Sequence, residues 1–237
     1  RMTGNRAGTA AELTVGPETP SGKSARTENF PVASVLIARP LRPHVMRFYA
    51  FARAIDDIAD NPTLTAEEKL ARLDGFEAVL LGRAAPRLGF AKAEALRQSL
   101  AETGLPPDFA CALVAAFRQD ATRNRYRTWD DLMGYCKLSA NPVGRYLLAP
   151  HGEAARPAAA SDALCSALQI LNHVQDCGDD YRQLNRVYLP LDWMERAGAT
   201  PTDLDQPASS DPLRRVLDRV LDGCEALLDE AASLAPA

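Results

Sequence analysis

Two acidic clusters in the sequence share one spacing. Asp56 and Asp60 are four positions apart, and Asp176 and Asp180 are separated in the same way. In an α-helix, four residues advance about 6 Å and rotate about 40° past a full turn, so each pair projects from one face. Carboxylate oxygens are the ligands that Mg²⁺ prefers, and bound Mg²⁺ commonly contacts substrate phosphates as well. The spacing therefore predicts a Mg²⁺ site assembled from two helices.

The first pair lies within the apolar face of its predicted helix. A helical wheel puts both carboxylates inside a stripe that consists of Val45, Phe48, Tyr49, Ala52 and Ala59. Burying an unpaired charge is costly, and the C-terminal end of a helix repels anions further. A cation is therefore expected beside Asp56 and Asp60.

The second pair belongs to a polar row on its helix. The row contains Asn172, Asp176 and Asp180, and it flanks an apolar stripe of Leu164, Ala167, Leu168 and Leu171. His173 lies on the side away from that stripe and is interpreted as a surface residue or as packing behind the site. A single pair with this spacing is usually a solvent-exposed helix face. Two copies, one of them on an apolar face, favour a metal site instead.

Arginines flank both clusters. Arg53 precedes Asp56 by about one helical turn, and Arg186 follows Asp180. The planar guanidinium suits phosphate because it donates two parallel hydrogen bonds. Paired carboxylates with nearby arginines predict that the site binds Mg²⁺ together with a diphosphate group.

The elements that position these residues are predicted to be helices throughout. Apolar residues recur at intervals of three and four, prolines separate the segments, and no alternating strand pattern is present. Helices are predicted over residues 43–60, 65–81, 89–102, 107–124, 128–148, 158–184 and 211–233. Residues 1–27 are rich in Gly, Thr, Ala and Ser and are interpreted as a mobile arm. The predicted fold class is all-α, with antiparallel helices packed in one domain over residues 28–237.

Composition excludes several other classes of protein. With 237 residues, of which 46% are hydrophobic, the chain can form one core without disulfide bonds. Its five cysteines are odd in number and lack metal-binding spacing, which indicates reduced thiols and a cytoplasmic location. A net charge of −4 without a basic tract argues against nucleic-acid binding. No apolar run approaches the length of a membrane span, so peripheral contact with the inner membrane is the one membrane association left open.

Three segments carry a resemblance to a known family. They are residues 48–60 with the first acidic pair, residues 135–144 with the sequence Ser-Ala-Asn-Pro-Val-Gly, and residues 169–190 with the second pair. In this order they resemble the squalene/phytoene synthase family, over roughly residues 28–233. Within that family the sequence is most similar to the bacterial branch that forms hydroxysqualene in hopanoid biosynthesis.

The resemblance implies a fold and a reaction. The implied fold is the isoprenoid-synthase helical bundle, in which two aspartate-rich helices face each other across a central cavity. The implied activity is that of a Mg²⁺-dependent terpene synthase, a carbon–oxygen lyase that ionises presqualene diphosphate and captures the carbocation with water. Several Mg²⁺ ions are expected, and NADPH is not, since the chain also lacks a Rossmann-type nicotinamide motif. Other hopanoid-pathway enzymes are candidate partners, and the oligomeric state is left open.

The resemblance also implies roles for individual residues. The implied metal ligands are Asp56, Asp60, Asp176 and Asp180, with assistance from Asn172. The same four aspartates and Tyr188 are the implied catalytic residues. The diphosphate would be held or oriented by Arg53, Arg186 and Tyr188, and the upper cavity would be lined by Tyr49, Tyr135 and Gln169.

Two other functions stay open. One is a head-to-head prenyl transferase that makes presqualene diphosphate, squalene or a phytoene-like product from two allylic diphosphates. The other is a catalytically silent helical scaffold, although complete acidic pairs with Arg53 and Arg186 argue against it. The chain reaches Ala237 soon after the last predicted helix, whereas family members generally continue, so one C-terminal helix is expected to be missing.

Several residues have simpler interpretations. Asp120 resembles a family acid that faces the pocket, but an ordinary surface carboxylate is favoured. Phe48, Phe51 and Phe117 are favoured as core residues over a wall that contacts carbocations. The segment 139–144 is a helix break, caused by Pro142, that either allows close packing through small residues or exposes carbonyls to a cationic substrate.

Overall fold

Helices account for most of the described chain. The computed structural model describes residues 37–85, 88–151 and 158–234. Its α-helices are α1 (Arg42–Ala59), α2 (Ala66–Leu80), α3 (Ala91–Thr103), α4 (Asp108–Thr122), α5 (Trp129–Ser139), α6 (Asn141–Leu148), α7 (Ala158–Leu184), α8 (Leu191–Ala197) and α9 (Asp211–Ala231). Within these ranges the extended pairing is limited to one bridge, between Arg125 and Val187. The all-α prediction is confirmed.

All seven predicted helices are present, with two differences. The segment predicted as one helix over 128–148 forms α5 and α6, which meet at Ala140. Pro142 lies in the first turn of α6, where a missing N–H is tolerated because that turn has no intrahelical acceptor. The second difference is α8, whose seven residues between Pro190 and Gly198 are too few to show a helical period. The predicted arm over residues 1–27 lies outside the described residues.

Capping residues fix several helix boundaries locally. At the start of α2, the Glu68 backbone N–H donates to the Thr65 hydroxyl at 3.2 Å, and the Thr65 N–H donates to the Glu68 carboxylate at 2.7 Å. Thr128 and Asp131 repeat this arrangement at the start of α5. Because each box satisfies backbone N–H groups that have no helical partner, the ends of these helices are encoded within one turn.

The helices pack around two apolar clusters. The first lies among α1 to α4 and includes Phe51, Phe76, Leu96 and Leu113. The second involves α5, α7, α8 and α9 and includes Tyr126, Ile170, Val216 and Val220. The acidic end of α1 and the C-terminal end of α7 therefore belong to different halves of the bundle, and a site between them needs both halves.

The core face of α7 differs from the predicted stripe. Ala163, Ala167 and Ile170 are buried, whereas Leu168 is 51% exposed. Small side chains on the buried face let neighbouring helices approach closely, which a count of apolar residues alone does not reveal. At Gly144 of α6, an added Cβ would lie only 2.5 Å from Ser161 Oγ on α7. The close-packing interpretation of the 139–144 segment is therefore supported.

The chain after α7 is held by a short extended pairing. The backbone N–H of Val187 donates to the Asn124 carbonyl at 3.0 Å, and that of Leu191 donates to Tyr126 at 3.0 Å. Asn185 adopts the left-handed conformation at φ 50°, and its side-chain oxygen accepts from Arg125 Nη2 at 2.7 Å. Asparagine tolerates this conformation better than most residues. The pairing fixes the direction in which the residues after Asn185 leave the helix.

The cysteines lie at buried or partly buried positions of the helices. All five cysteines are free thiols, and Cys136 and Cys224 are buried. Across the residues that the structure describes, no helix combines the length and the apolar character needed to cross a bilayer.

Candidate active site

An apolar groove runs along α1 and has one arginine and one aspartate at its charged end. It encloses about 700 Å³, including space open to solvent, and is lined by Val45, Phe48, Tyr49, Ala52, Arg53, Asp56, Phe117, Val143 and Leu147. Charge is confined to Arg53 and Asp56, which lie toward the C-terminal end of α1. A molecule with a hydrocarbon chain and an anionic head matches this distribution of polarity.

The predicted stripe on α1 mostly lines the groove, and two of its residues, Val45 and Phe48, also belong to the first apolar cluster. The face that packs into the core carries Phe51, Ile55 and Ile58, all with no exposed surface. The Asp56 side chain is 25% exposed and that of Asp60 is 39% exposed, so neither carboxylate points into the core. The expectation that both are buried in the interior is corrected: Asp56 lines a groove that solvent can enter, and Asp60 is partly exposed beside Arg186.

The aromatic residues of α1 and α4 divide between core and groove. Phe51 is a core residue, as expected. Phe48 is buried, stacks on Tyr146 with ring centroids 3.9 Å apart, and also forms part of the groove wall. Phe117 is partly buried and lines the groove, so its placement favours the wall interpretation.

Arg53 pairs with two carboxylates of its own helix. Its Nη1 lies 2.8 Å from Asp56 Oδ2, and its Nη2 lies 2.8 Å from Asp57 Oδ1. The Asp57 side chain is only 5% exposed. Sequence reasoning did not select Asp57, although its position four residues after Arg53 favours a helical ion pair. The cation beside Asp56 in this structure is thus an arginine of the same helix.

Arg186 connects the ends of α7 and α1. Its guanidinium is buried, and its Nη1 donates to Asp60 Oδ1 at 2.8 Å. Its Nη2 donates to the Asp120 backbone carbonyl at 3.2 Å. These contacts join residues that are far apart in sequence, and they place the second predicted arginine beside the first acidic cluster.

Asp120 is buried at the centre of this network, so the favoured surface interpretation is wrong. Its carboxylate accepts hydrogen bonds from Tyr135 at 2.6 Å and from Tyr188 at 3.0 Å. Arg186 Nε lies 3.8 Å from the same carboxylate. A buried carboxylate needs such partners because they replace the water that it loses.

His173 stacks on the ring of Tyr188. The two rings stack with centroids 3.5 Å apart and an interplanar angle of 18°. Gln169 Nε2 donates to His173 Nε2 at 3.1 Å. Burial and the positive charge of Arg186 lower the pKa of His173 to about 3, so the ring is neutral at physiological pH. Of the two interpretations offered for His173, packing behind the site is the one the structure supports.

The remaining predicted site residues lie at different depths. Tyr49 lines the groove, whereas Tyr135 is almost completely buried against Asp120 rather than on the groove wall. Gln169, Asn172 and Asp180 are partly exposed, and Asp176 is exposed. The polar row on α7 is therefore most exposed at Asp176, with Asn172 and Asp180 partly covered on either side of it.

The two acidic clusters act on each other electrostatically. Desolvation and then the Asp60 carboxylate raise the pKa of Asp56 to about 8. The same two causes raise the pKa of Asp180 to about 6. Burial raises the pKa of Asp120 to about 6, against the opposing effect of Arg186. Asp60 thus raises the pKa of one carboxyl in each cluster. The site concentrates negative charge that a bound cation would stabilise.

Lys69 of α2 is a site residue that sequence reasoning missed. Its Nζ donates to the Ala59 carbonyl at 2.7 Å, at the end of α1. Desolvation and the nearby Arg186 lower its pKa, while Asp60 and Asp120 oppose the shift. Nothing in the local pattern around Lys69 distinguishes it from a surface lysine, because its partners come from other segments.

The donor set fits a hard divalent cation that is shared with a substrate. Over the described residues, no three His, Cys, Asp or Glu side chains converge closely enough to chelate a metal by themselves. Burial, and then the neighbouring Asp60 carboxylate, raise the pKa of Asp56, so a cation bound there would stabilise its charged form. Mg²⁺ commonly takes one or two protein carboxylates and completes its shell with water and phosphate oxygens. Partial protein coordination of this kind needs only one or two of the site carboxylates for each ion.

Comparison with known proteins identifies the family. The squalene/phytoene synthase family model matches residues 24–237, so the chain belongs to this family. It is 48% identical over 225 residues to a hydroxysqualene synthase from Rhodopseudomonas palustris, covering 94% of this chain and 75% of the relative. A hydroxysqualene synthase from Sinorhizobium fredii is 44% identical over 222 residues, with coverage of 94% and 75%. The squalene synthase HpnC from Alicyclobacillus acidocaldarius superposes with a TM-score of 0.74 at 35% identity, covering 90% of this chain and 81% of that one.

Proposed function

We propose that the protein converts presqualene diphosphate and water to hydroxysqualene and diphosphate. The observation that carries this proposal is an apolar groove whose charged end carries Arg53 and Asp56, and Asp56 belongs to the first acidic cluster. A prenyl diphosphate has the same division into hydrocarbon and anion. The similarity to two hydroxysqualene synthases favours water capture over head-to-head condensation or reduction.

We further propose that Mg²⁺ binds between the two aspartate-rich helices. Asp56, Asp60, Asp176 and Asp180 would hold several Mg²⁺ ions, each through one or two carboxylates together with water and phosphate oxygens, and Asn172 would be an additional oxygen donor. When bound, Mg²⁺ neutralises the diphosphate and so makes it a better leaving group. Asp60 connects the two clusters electrostatically, and its ion pair with Arg186 keeps it in place.

Two arginines and a tyrosine would stabilise the departing diphosphate. Arg53 lies at the charged end of the groove, where its guanidinium can exchange a contact with Asp56 for one with phosphate oxygen. Arg186 is fixed by Asp60 and Asp120, and Tyr188 shares the Asp120 carboxylate. Groups that are already oriented stabilise developing charge without reorganising during the reaction. This preorganisation favours breakage of the carbon–oxygen bond over binding of the intact ester.

The groove wall protects the carbocation and limits the access of water. Phe48, Tyr49 and Phe117 present aromatic surface along it. A cation over an aromatic face is stabilised by about 0.5–2 kcal/mol, and aliphatic neighbours exclude bulk water. A single water that reaches the cation then forms the new carbon–oxygen bond and releases its proton to solvent or to the departing diphosphate.

The test supplies purified protein with presqualene diphosphate and Mg²⁺ in ¹⁸O-water, with and without NADPH. Labelled hydroxysqualene in both reactions, detected by mass spectrometry, is the expected result. Squalene formed only with NADPH would assign the reductive reaction instead. Consumption of farnesyl diphosphate in a parallel tube, with presqualene diphosphate left intact, would assign the condensing reaction. No turnover of either substrate would favour the scaffold.

We also propose peripheral contact with the inner membrane, because substrate and product are largely hydrocarbon. Leu147, part of the groove wall, is 37% exposed and offers an apolar edge at the groove. Co-sedimentation with vesicles of bacterial lipid, compared between wild type and Leu147→Glu, tests this contact. Equal sedimentation of both proteins would argue against the groove edge as the contact.

A further inference from the structure

Lys69 ties the start of α2 to the acidic end of α1. It lies in the first turns of α2 and is partly buried, and its ammonium donates to the Ala59 carbonyl at 2.7 Å. Ala59 is the last residue of α1, and Asp60 is its cap. A cation at the C-terminal end of a helix is favourable because it faces unpaired carbonyls. The contact thus holds in place the helix end that carries Asp56 and Asp60.

The ammonium charge of Lys69 interacts with the charged residues of the site. Its acidic neighbour Glu68 is engaged in the α2 cap, where it accepts from the Thr65 N–H at 2.7 Å. The charges that act on Lys69 come instead from Asp60, Asp120 and Arg186. Lys69 and Arg186 repel each other, and such repulsion is relieved when an anion binds within range of both.

We propose that Lys69 is a positioning residue of the diphosphate site. It fixes the carbonyl end of α1 and, with Arg186, adds positive charge beside Asp60. This charge favours bound diphosphate and disfavours Mg²⁺ that binds without diphosphate. The inference rests on the proposed function, because it takes diphosphate as the anion that the site receives.

The test compares binding in the wild type, Lys69→Gln and Lys69→Arg, with Lys137→Gln as a matched control. Lys137 is an exposed lysine in the last turn of α5, so its variant makes the same change of charge away from the site. Calorimetry measures the affinity for inorganic diphosphate in saturating Mg²⁺, and the affinity for Mg²⁺ alone. Lys69→Gln should bind diphosphate about tenfold more weakly and Mg²⁺ alone about two- to threefold more tightly. Lys69→Arg should stay within about threefold of wild type, since it keeps the charge and the donor.

The outcomes distinguish an effect of the Lys69 charge on binding from a purely structural role of this side chain. A merely structural lysine would lower thermal stability without moving the two affinities in opposite directions, and that result would overturn the inference. A loss in Lys69→Arg equal to that in Lys69→Gln would overturn it as well. Lys69→Met, which keeps the apolar stem, repeats the measurement if Lys69→Gln folds poorly. A wild-type protein that binds no diphosphate would overturn the proposed function too, whereas equal affinities of wild type and Lys69→Gln would overturn this inference alone.

Discussion

Replacing Asp120 with Asn should raise stability and lower activity together. The variant keeps the size of the side chain and one acceptor oxygen, but removes the charge that Tyr135, Tyr188 and Arg186 surround. In the folded protein the pKa of Asp120 is about 6, against an ordinary value of 3.8, mainly because burial disfavours the charged form. The ionised carboxylate therefore destabilises the folded state relative to its protonated form.

The sign and size of the effect follow from proton linkage. A carboxyl whose pKa is higher in the folded state than in the unfolded state binds more protons when folded, so stability falls as pH rises. The loss begins near pH 3.8 and is complete above about pH 6. The difference between this pKa and the ordinary value corresponds to about 3 kcal/mol, of which about half is lost between pH 5 and pH 8. Asn does not titrate, so the difference in free energy of unfolding between Asp120→Asn and wild type should grow by about half of this energy between pH 5 and pH 8.

Activity should change in the opposite direction. Arg186 and two tyrosine hydroxyls lose a charged partner that orients them, so turnover should fall about ten- to hundredfold. Urea unfolding at pH 5, 6.5 and 8, with activity measured on the same preparations, tests both effects. Asp74→Asn is the control, because it makes the same change at a side chain that is 63% exposed. A stability difference between wild type and Asp120→Asn that does not vary with pH would refute the linkage argument, and full turnover would refute the orienting role.

Three further predictions concern the metal, the first acidic pair and the packing of α6. Mg²⁺ and inorganic diphosphate together should raise Tm by several degrees, because they bind the folded state, and EDTA should abolish both this shift and turnover; full activity in EDTA would contradict the metal site. Asp60→Asn should lower turnover at least about a hundredfold at nearly unchanged Tm. A variant that unfolds at a clearly lower temperature but keeps high specific activity while folded would make this carboxylate structural. Gly144→Ala should cost about 1–3 kcal/mol in urea unfolding, since its Cβ would meet Ser161 Oγ at 2.5 Å. Gly134→Ala, with nothing within 4 Å, should be neutral or stabilising, and equal effects of the two would contradict the close packing.

Features that depend on contacts within one helical turn could be predicted from the sequence. The seven long helices were found because their apolar period and proline boundaries are local. The capping boxes that begin α2 and α5 involve residues three positions apart. The pairing of carboxylates on one helix face is equally local, and it led to the family that the comparison confirms.

Burial could not be predicted where it depends on residues from distant segments. Asp120 was favoured as a surface carboxylate because nothing next to it is unusual, yet its partner Tyr188 lies 68 positions away. Leu168 was placed on the core face of α7, although smaller neighbours carry that contact and leave it half exposed. Helix α8 was missed because seven residues contain too little of a helical period to be recognised.

The sequence by itself determined the all-α class, the family and the acidic pairs, because propensity, capping and side-chain periodicity act over a few residues. Only the tertiary structure decided which cation faces which carboxylate. Arg186 reaches Asp60 across 126 positions, and Lys69 reaches the end of α1 from another helix. Electrostatic interaction depends on distance and on exclusion of water, and both are set by how the helices pack.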